Sequence, residues 1–221
     1  MHIPDGFLST GVSVATWAGS AGGLGYALQR VNKTLGERQV PLMGVTAAFI
    51  FAAQMLNFTV IGGTSGHLLG GALAAILLGP WAGMLVLTSV LVIQALLFQD
   101  GGLLALGANV LNMAVIGVLA GWAAYTVLRR LFGHRPWAVF ASGFVAGWLS
   151  VELAALAAAA ELAVSGTLAW QVVAPAMGGI YALIGVGEGL ITVAVLGFLR
   201  VTRPDLLTRG QTAQVSEDST P

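Results

Sequence analysis

Cysteine is absent from the 221 residues, which excludes disulfide scaffolds, thiolate zinc sites and iron–sulfur clusters. Charge is scarce: Asp, Glu, Lys and Arg make up 8% of the chain, where a soluble domain carries about 25%. Nine basic residues in all leave no electrostatic footprint for nucleic acid. Lysine occurs once, at Lys33 after Arg30-Val31-Asn32, so the Gly-x-x-x-x-Gly-Lys-Ser/Thr phosphate loop is missing and the chain cannot hydrolyse ATP by that route. No His-Glu-x-x-His sequence exists, which removes the ligands of an intramembrane zinc protease. Gly185-x-Gly187-x-Gly189 lies inside an apolar segment rather than between a strand and a helix, and is no dinucleotide fingerprint.

What is plentiful is apolar: 57% of residues, with 31 glycines besides. The nine positive charges fall in three clusters, Arg30 with Lys33 and Arg38, Arg129 with Arg130 and Arg135, and Arg200 with Arg203 and Arg209. Long apolar segments separate them. A helix needs about 20 such residues to cross a bilayer, because its backbone must satisfy itself in lipid. Lys/Arg excess marks cytoplasmic loops, so stretches between clusters should hold an even number of spans. Residues 41–128 accommodate four, broken at Gly62-Gly63-Thr64-Ser65-Gly66-His67, at Gly79-Pro80-Trp81 and at Gln99-Asp100-Gly101-Gly102. Residues 136–199 fit two with a turn near Ser165-Gly166-Thr167, and residues 7–29 fit one. The expectation is an all-α polytopic membrane helical bundle of about seven transmembrane helices, N-terminus outside and C-terminus cytoplasmic. Residues 1–203 form one transmembrane domain in this reading, and 204–221 a polar, disordered tail. The third span, Leu68 to Leu78, is short; either it tilts, or the glycine-rich loop before it dips inward. A cleaved signal peptide is not expected, since no Lys or Arg precedes Arg30.

Met1-His2-Ile3-Pro4-Asp5-Gly6 sets a histidine beside the α-amine. Initiator Met is normally trimmed only before small residues, so Met1 should persist. The amine nitrogen, the His2 amide nitrogen and its imidazole Nδ1 can close one five-membered and one six-membered chelate ring on a single ion. A second imidazole would complete a tetragonal four-nitrogen set of the kind that suits Ni(II) or Cu(II) and can accept Co(II). His67 is the donor on the same predicted face, whereas His134 falls in the cytoplasmic loop. Binding through an amine should weaken as pH falls. On chemistry alone a second-position histidine is commonly incidental, and a histidine beside glycines is commonly a surface or cap residue; their shared face in a chain with three histidines sets this pair apart.

Met1-His2-Ile3-Pro4-Asp5-Gly6-Phe7-Leu8-Ser9, Gly62-Gly63-Thr64-Ser65-Gly66-His67-Leu68-Leu69-Gly70-Gly71 and Gln99-Asp100-Gly101-Gly102, followed by Leu106-Gly107-Ala108-Asn109 and Asn112-Met113, resemble the CbiM/NikM family of substrate-capturing components of energy-coupling-factor (ECF) transporters. The resemblance implies a seven-helix fold with the N-terminus tucked into the bundle and a metal held by Met1, His2 and His67. It implies Co2+ or Ni2+ as transported substrate, without an organic cofactor, for cobalamin synthesis or nickel enzymes. It also implies a non-catalytic role in the cytoplasmic (inner) membrane, among lipid. The partners implied are a transmembrane coupling subunit, a cytoplasmic ATPase pair and a small accessory membrane subunit of CbiN/NikN type.

Around the ligands, Thr64, Ser65, Asn109 and Asn112 could hold the inserted N-terminus by hydrogen bonds. Asp100 could attract cations or accept an imidazole N–H, or be a solvated loop carboxylate. Glu152 and Glu188 fall mid-span, where carboxylates are costly and functional by default. They invite an alternative reading, a self-sufficient proton-coupled secondary metal transporter, unless each is neutral and hydrogen-bonded within the bundle.

Overall fold

A computed structural model describes residues 1–36, 39–56, 58–59, 65–133 and 135–207. Seven helices occupy the described residues: α1 Thr10–Thr34, α2 Gln39–Gln54, α3 Gly71–Leu78, α4 Pro80–Leu97, α5 Leu106–Phe132, α6 Pro136–Val164 and α7 Trp170–Thr202. They lie at the seven segments anticipated from hydropathy, and α4 to α7 are long and apolar enough to cross a membrane. The remaining regular structure among the described residues is one antiparallel pair, β1 Phe58–Thr59 with β2 Ser65–Gly66.

Local chemistry sets the helix ends. Ser9 caps α1 by accepting the Val12 N–H, and Pro80 and Pro136 open α4 and α6, where a missing N–H costs no hydrogen bond. Basic residues close α1, α5 and α7, as the helix dipole favours. The third basic cluster reaches the start of α6, directly after Arg135 of the second: Arg200 donates to the Pro136 carbonyl and lies over the Phe140 ring. The opposite end of α4 and α6 carries the 98–105 loop and the 165–169 turn, and the Thr167 hydroxyl there donates to the Phe7 carbonyl. One end of the bundle thus gathers cations, while the other gathers the N-terminal segment.

The short α3 is the centre of the packing. Six consecutive residues, Gly71 to Ile76, are buried, and α4, α5 and α6 surround them. It is short because the chain before it, His67 to Gly70, enters the bundle as non-helical backbone covered by protein, the condition under which such backbone is tolerated at depth. Around it, α6 and α7 pair along nearly their whole length. A Cβ on Gly147 of α6 would stand 3.1 Å from the Gly189 backbone of α7, tighter than most real Cβ contacts, so a larger residue there would have to push these closely packed helices apart. In α5 the first turn gives way to a π-helical stretch, Val110–Gly117, where the Ser150 hydroxyl takes up the Gly117 carbonyl.

Candidate metal site

Residues 1–8 form no helix, and the first three plunge into the bundle, with Met1 1%, His2 3% and Ile3 0% exposed. An apolar residue at position 3 gains by this burial, but the backbone beside it must find partners. Asn109 supplies them in both directions: its side-chain oxygen accepts the Ile3 N–H at 2.8 Å, and its amide group donates to the Ile3 carbonyl at 3.1 Å. Gly102 N–H donates to the same carbonyl at 3.0 Å. Asp5 then accepts the N–H groups of Leu103, Leu104 and Ala105 at the head of α5, where the helix dipole welcomes a carboxylate. Gly101 takes φ +95°, and a Cβ on Gly102 would collide with Asp5, so both positions need glycine for the segment to sit this close.

The inserted end meets His67, itself 1% exposed, at the mouth of the loop leading to α3. The two imidazole rings lie 4.6 Å apart between centroids, tilted by 31°. His67 Nδ1 is 2.6 Å from the Leu68 carbonyl, which can only accept, so Nδ1 carries the proton and Nε2 is bare. That Nε2 is buried with no hydrogen-bond partner. His2 Nε2 faces Gln94 Oε1 at 3.1 Å, and its Nδ1 faces Asp100 Oδ1 at 3.3 Å. Burial pushes the Met1 amine well below its ordinary range, against a smaller upward pull from Asp100. Burial, with the nearby amine charge, lowers His2 to about 3 and holds His67 well below its ordinary value. The site therefore gathers an amine and two imidazoles whose neutral forms are favoured, each able to offer a lone pair. Among the described residues no three His, Cys, Asp or Glu side chains surround a common point, and the donors gathered here include the main-chain amine of Met1.

Of the residues singled out in the sequence, Met1, His2, His67, Asp100 and Asn109 come together. Asn112 does not join them: its amide group donates to Glu161 of α6 at 2.7 Å, because the π-helical stretch begins between Asn109 and Asn112 and rotates the second away from the N-terminus. Ser65 is described only in its backbone pairing with Thr59, and Thr64 and His134 lie outside the described residues, as do positions 208–221 of the polar tail. Glu152 lies against Gly178 with one oxygen buried and unpartnered. Glu188 of α7 reaches the loop itself, accepting the N–H of Leu69 at 2.9 Å and of Gly70 at 2.6 Å. Gln54 and Gln94, both fully buried, were not among the candidates. The available signal was an amide side chain inside an apolar helix, which must find a partner there.

The family described as "Cobalt uptake substrate-specific transmembrane region" (CbiM) matches residues 2–206. A Haloquadratum walsbyi protein whose name assigns it to metal transport is 43% identical over 99% of both chains. The fused nickel transport protein NikMN of Rhodobacter capsulatus is 34% identical, over 94% of this chain and 64% of its own length. A crystal structure of a truncated transition metal transporter superimposes with a TM-score of 0.86 at 36% identity, covering 91% of this chain and 99% of that one. With a family match over nearly its whole length and relatives this similar from end to end, the chain belongs to the CbiM family.

Proposed function

We propose that this protein captures Co2+ or Ni2+ as the membrane substrate-binding subunit of an ATP-driven ECF-type importer. The observation that carries the reading is His67 Nε2, a bare, buried and unpartnered nitrogen on a ring 4.6 Å from that of His2, beside a buried α-amine. An unpaired polar atom in such a place is costly unless a ligand completes it. The Met1 amine, the His2 amide and Nδ1, and His67 Nε2 would supply four nitrogens, a tetragonal set favourable to Ni(II) and acceptable to Co(II). Asp100, 3.3 Å from His2 Nδ1, adds negative charge next to the bound cation.

Energy must come from elsewhere, since the chain lacks a phosphate-binding loop. The reading therefore includes a transmembrane coupling subunit and a cytoplasmic ATPase pair. The fused NikMN relative supports an accessory N-type component as a further partner. Glu188 is committed to two backbone N–H groups rather than open to proton exchange, which favours the subunit reading over a proton-coupled carrier.

The test is one residue added before Met1, which moves the amine out of chelating position and leaves the helices untouched. Calorimetry on the purified parent should show one tight Ni2+ or Co2+ per chain, and the extended protein should bind at least about 100-fold more weakly, the loss of about 3 kcal/mol from one nitrogen donor. Equal affinity in the two proteins would overturn the site.

A further inference from the structure

We propose that Glu188, acting through Gln54 and Gln94, fixes which ring nitrogen carries the proton in both His2 and His67, leaving His2 Nδ1 and His67 Nε2 unprotonated. The proposal rests on the metal reading above for its purpose, but not for its geometry. A trans peptide unit points its N–H and its C=O in opposite directions. Glu188 grips the N–H of two consecutive units, Leu69 and Gly70, and so aims the carbonyls of Leu68 and Leu69 away from α7. The Leu68 carbonyl accepts from His67 Nδ1, which settles that ring directly.

The Leu69 carbonyl settles the other ring at three removes. A carbonyl only accepts, so Gln54 must turn its NH2 toward it, at 2.7 Å. That turns Gln54 Oε1 toward Gln94, which must present its own NH2, at 3.0 Å. Gln94 Oε1 is then left for His2 Nε2, at 3.1 Å, and an amide oxygen draws a proton there. Every link is buried, so water cannot reverse one amide without breaking two bonds. Polarity runs one way from a backbone carbonyl to the imidazole. It also runs against a competitor, for Asp100 Oδ1 at 3.3 Å would favour the proton on Nδ1, the nitrogen needed for the chelate ring.

The experiment reads proton positions in the metal-free full chain, labelled with 15N-histidine in detergent, by long-range 1H–15N correlation, with resonances assigned by single histidine substitutions. In the parent, His2 should be protonated on Nε2 and His67 on Nδ1. Gln54→Met, which touches neither ring, should move the His2 proton to Nδ1 and leave His67 unchanged. Its Ni2+ affinity should fall about 10- to 100-fold, the usual cost of losing an outer support of a metal ligand. Glu188→Ala should disturb both rings. A packing role alone would not transfer a proton between ring nitrogens. If Gln54→Met fails to fold, Gln94→Met carries the same expectation for His2. A parent His2 protonated on Nδ1, or a Gln54→Met or Gln94→Met protein with the parent's proton positions, would overturn the proposal. A parent with the expected proton positions that binds neither Ni2+ nor Co2+ supports the relay and refutes the metal reading.

Discussion

Removing the Glu188 carboxylate separates the two readings of a mid-span acid. Glu188 accepts buried N–H groups at 2.9 and 2.6 Å. Truncation to alanine leaves both donors without a partner, at a cost of about 1–3 kcal/mol each. Loss of the buried carboxylate also relieves its own desolvation, so global stability should change less than this sum. The penalty falls instead on the 68–70 backbone, where it disorders the carbonyls that orient both histidines. If about 2 kcal/mol of it appears at the site, Ni2+ binding weakens roughly 30-fold. Glu188→Gln keeps one acceptor and sets an NH2 against the other N–H, so it should fall between the parent and Glu188→Ala. Calorimetry with NiCl2 on the three purified proteins, alongside thermal melting, gives the ranking. Parent-like affinity in Glu188→Ala would refute the clamp. A proton-coupled carrier predicts a different pattern, in which reconstituted parent protein alone moves metal under a proton gradient and Glu188→Gln abolishes transport while sparing binding.

Two further substitutions probe how the site is held. Gly102→Ala places a methyl group on Asp5, which must withdraw from the Leu103–Ala105 N–H groups and take the N-terminal segment with it. Ni2+ affinity should drop by at least about 10-fold, the equivalent of one lost hydrogen bond, with melting nearly unchanged; undiminished affinity would show that the segment does not need this seat. Gly147→Val forces α6 from the Gly189 backbone, and overpacking of this kind costs about 1–3 kcal/mol. Melting temperature should fall, and affinity with it, because Glu188 precedes Gly189; an unchanged melting temperature would contradict the close helix contact.

Much of this molecule was legible in its residues because lipid imposes simple rules. Apolar length and the spacing of nine basic residues located the helical segments, since a helix satisfies its own backbone within one apolar segment of a bilayer. The histidine at position 2 and the histidine after a glycine run stood out because the chain has few other donors. Asn109 and Asn112 looked equivalent by spacing, and only the π-helical stretch separates them, because a change in residues per turn leaves no mark in composition. For Glu188 the sequence left two readings open, a proton-coupling acid or one hydrogen-bonded within the bundle, and its partners are backbone groups 118 and 119 positions away.

Sequence by itself determined the medium, the helical segments and the kinds of atom available, since these follow from transfer free energies and side-chain chemistry that each residue carries alone. Tertiary structure decided what each nitrogen can do. Whether an imidazole offers a lone pair from Nδ1 or from Nε2 depends on the polarity of its neighbours. Those neighbours, the Leu68 and Leu69 carbonyls, Gln54, Gln94 and Glu188, converge only when α2, α4 and α7 pack around the 67–70 loop.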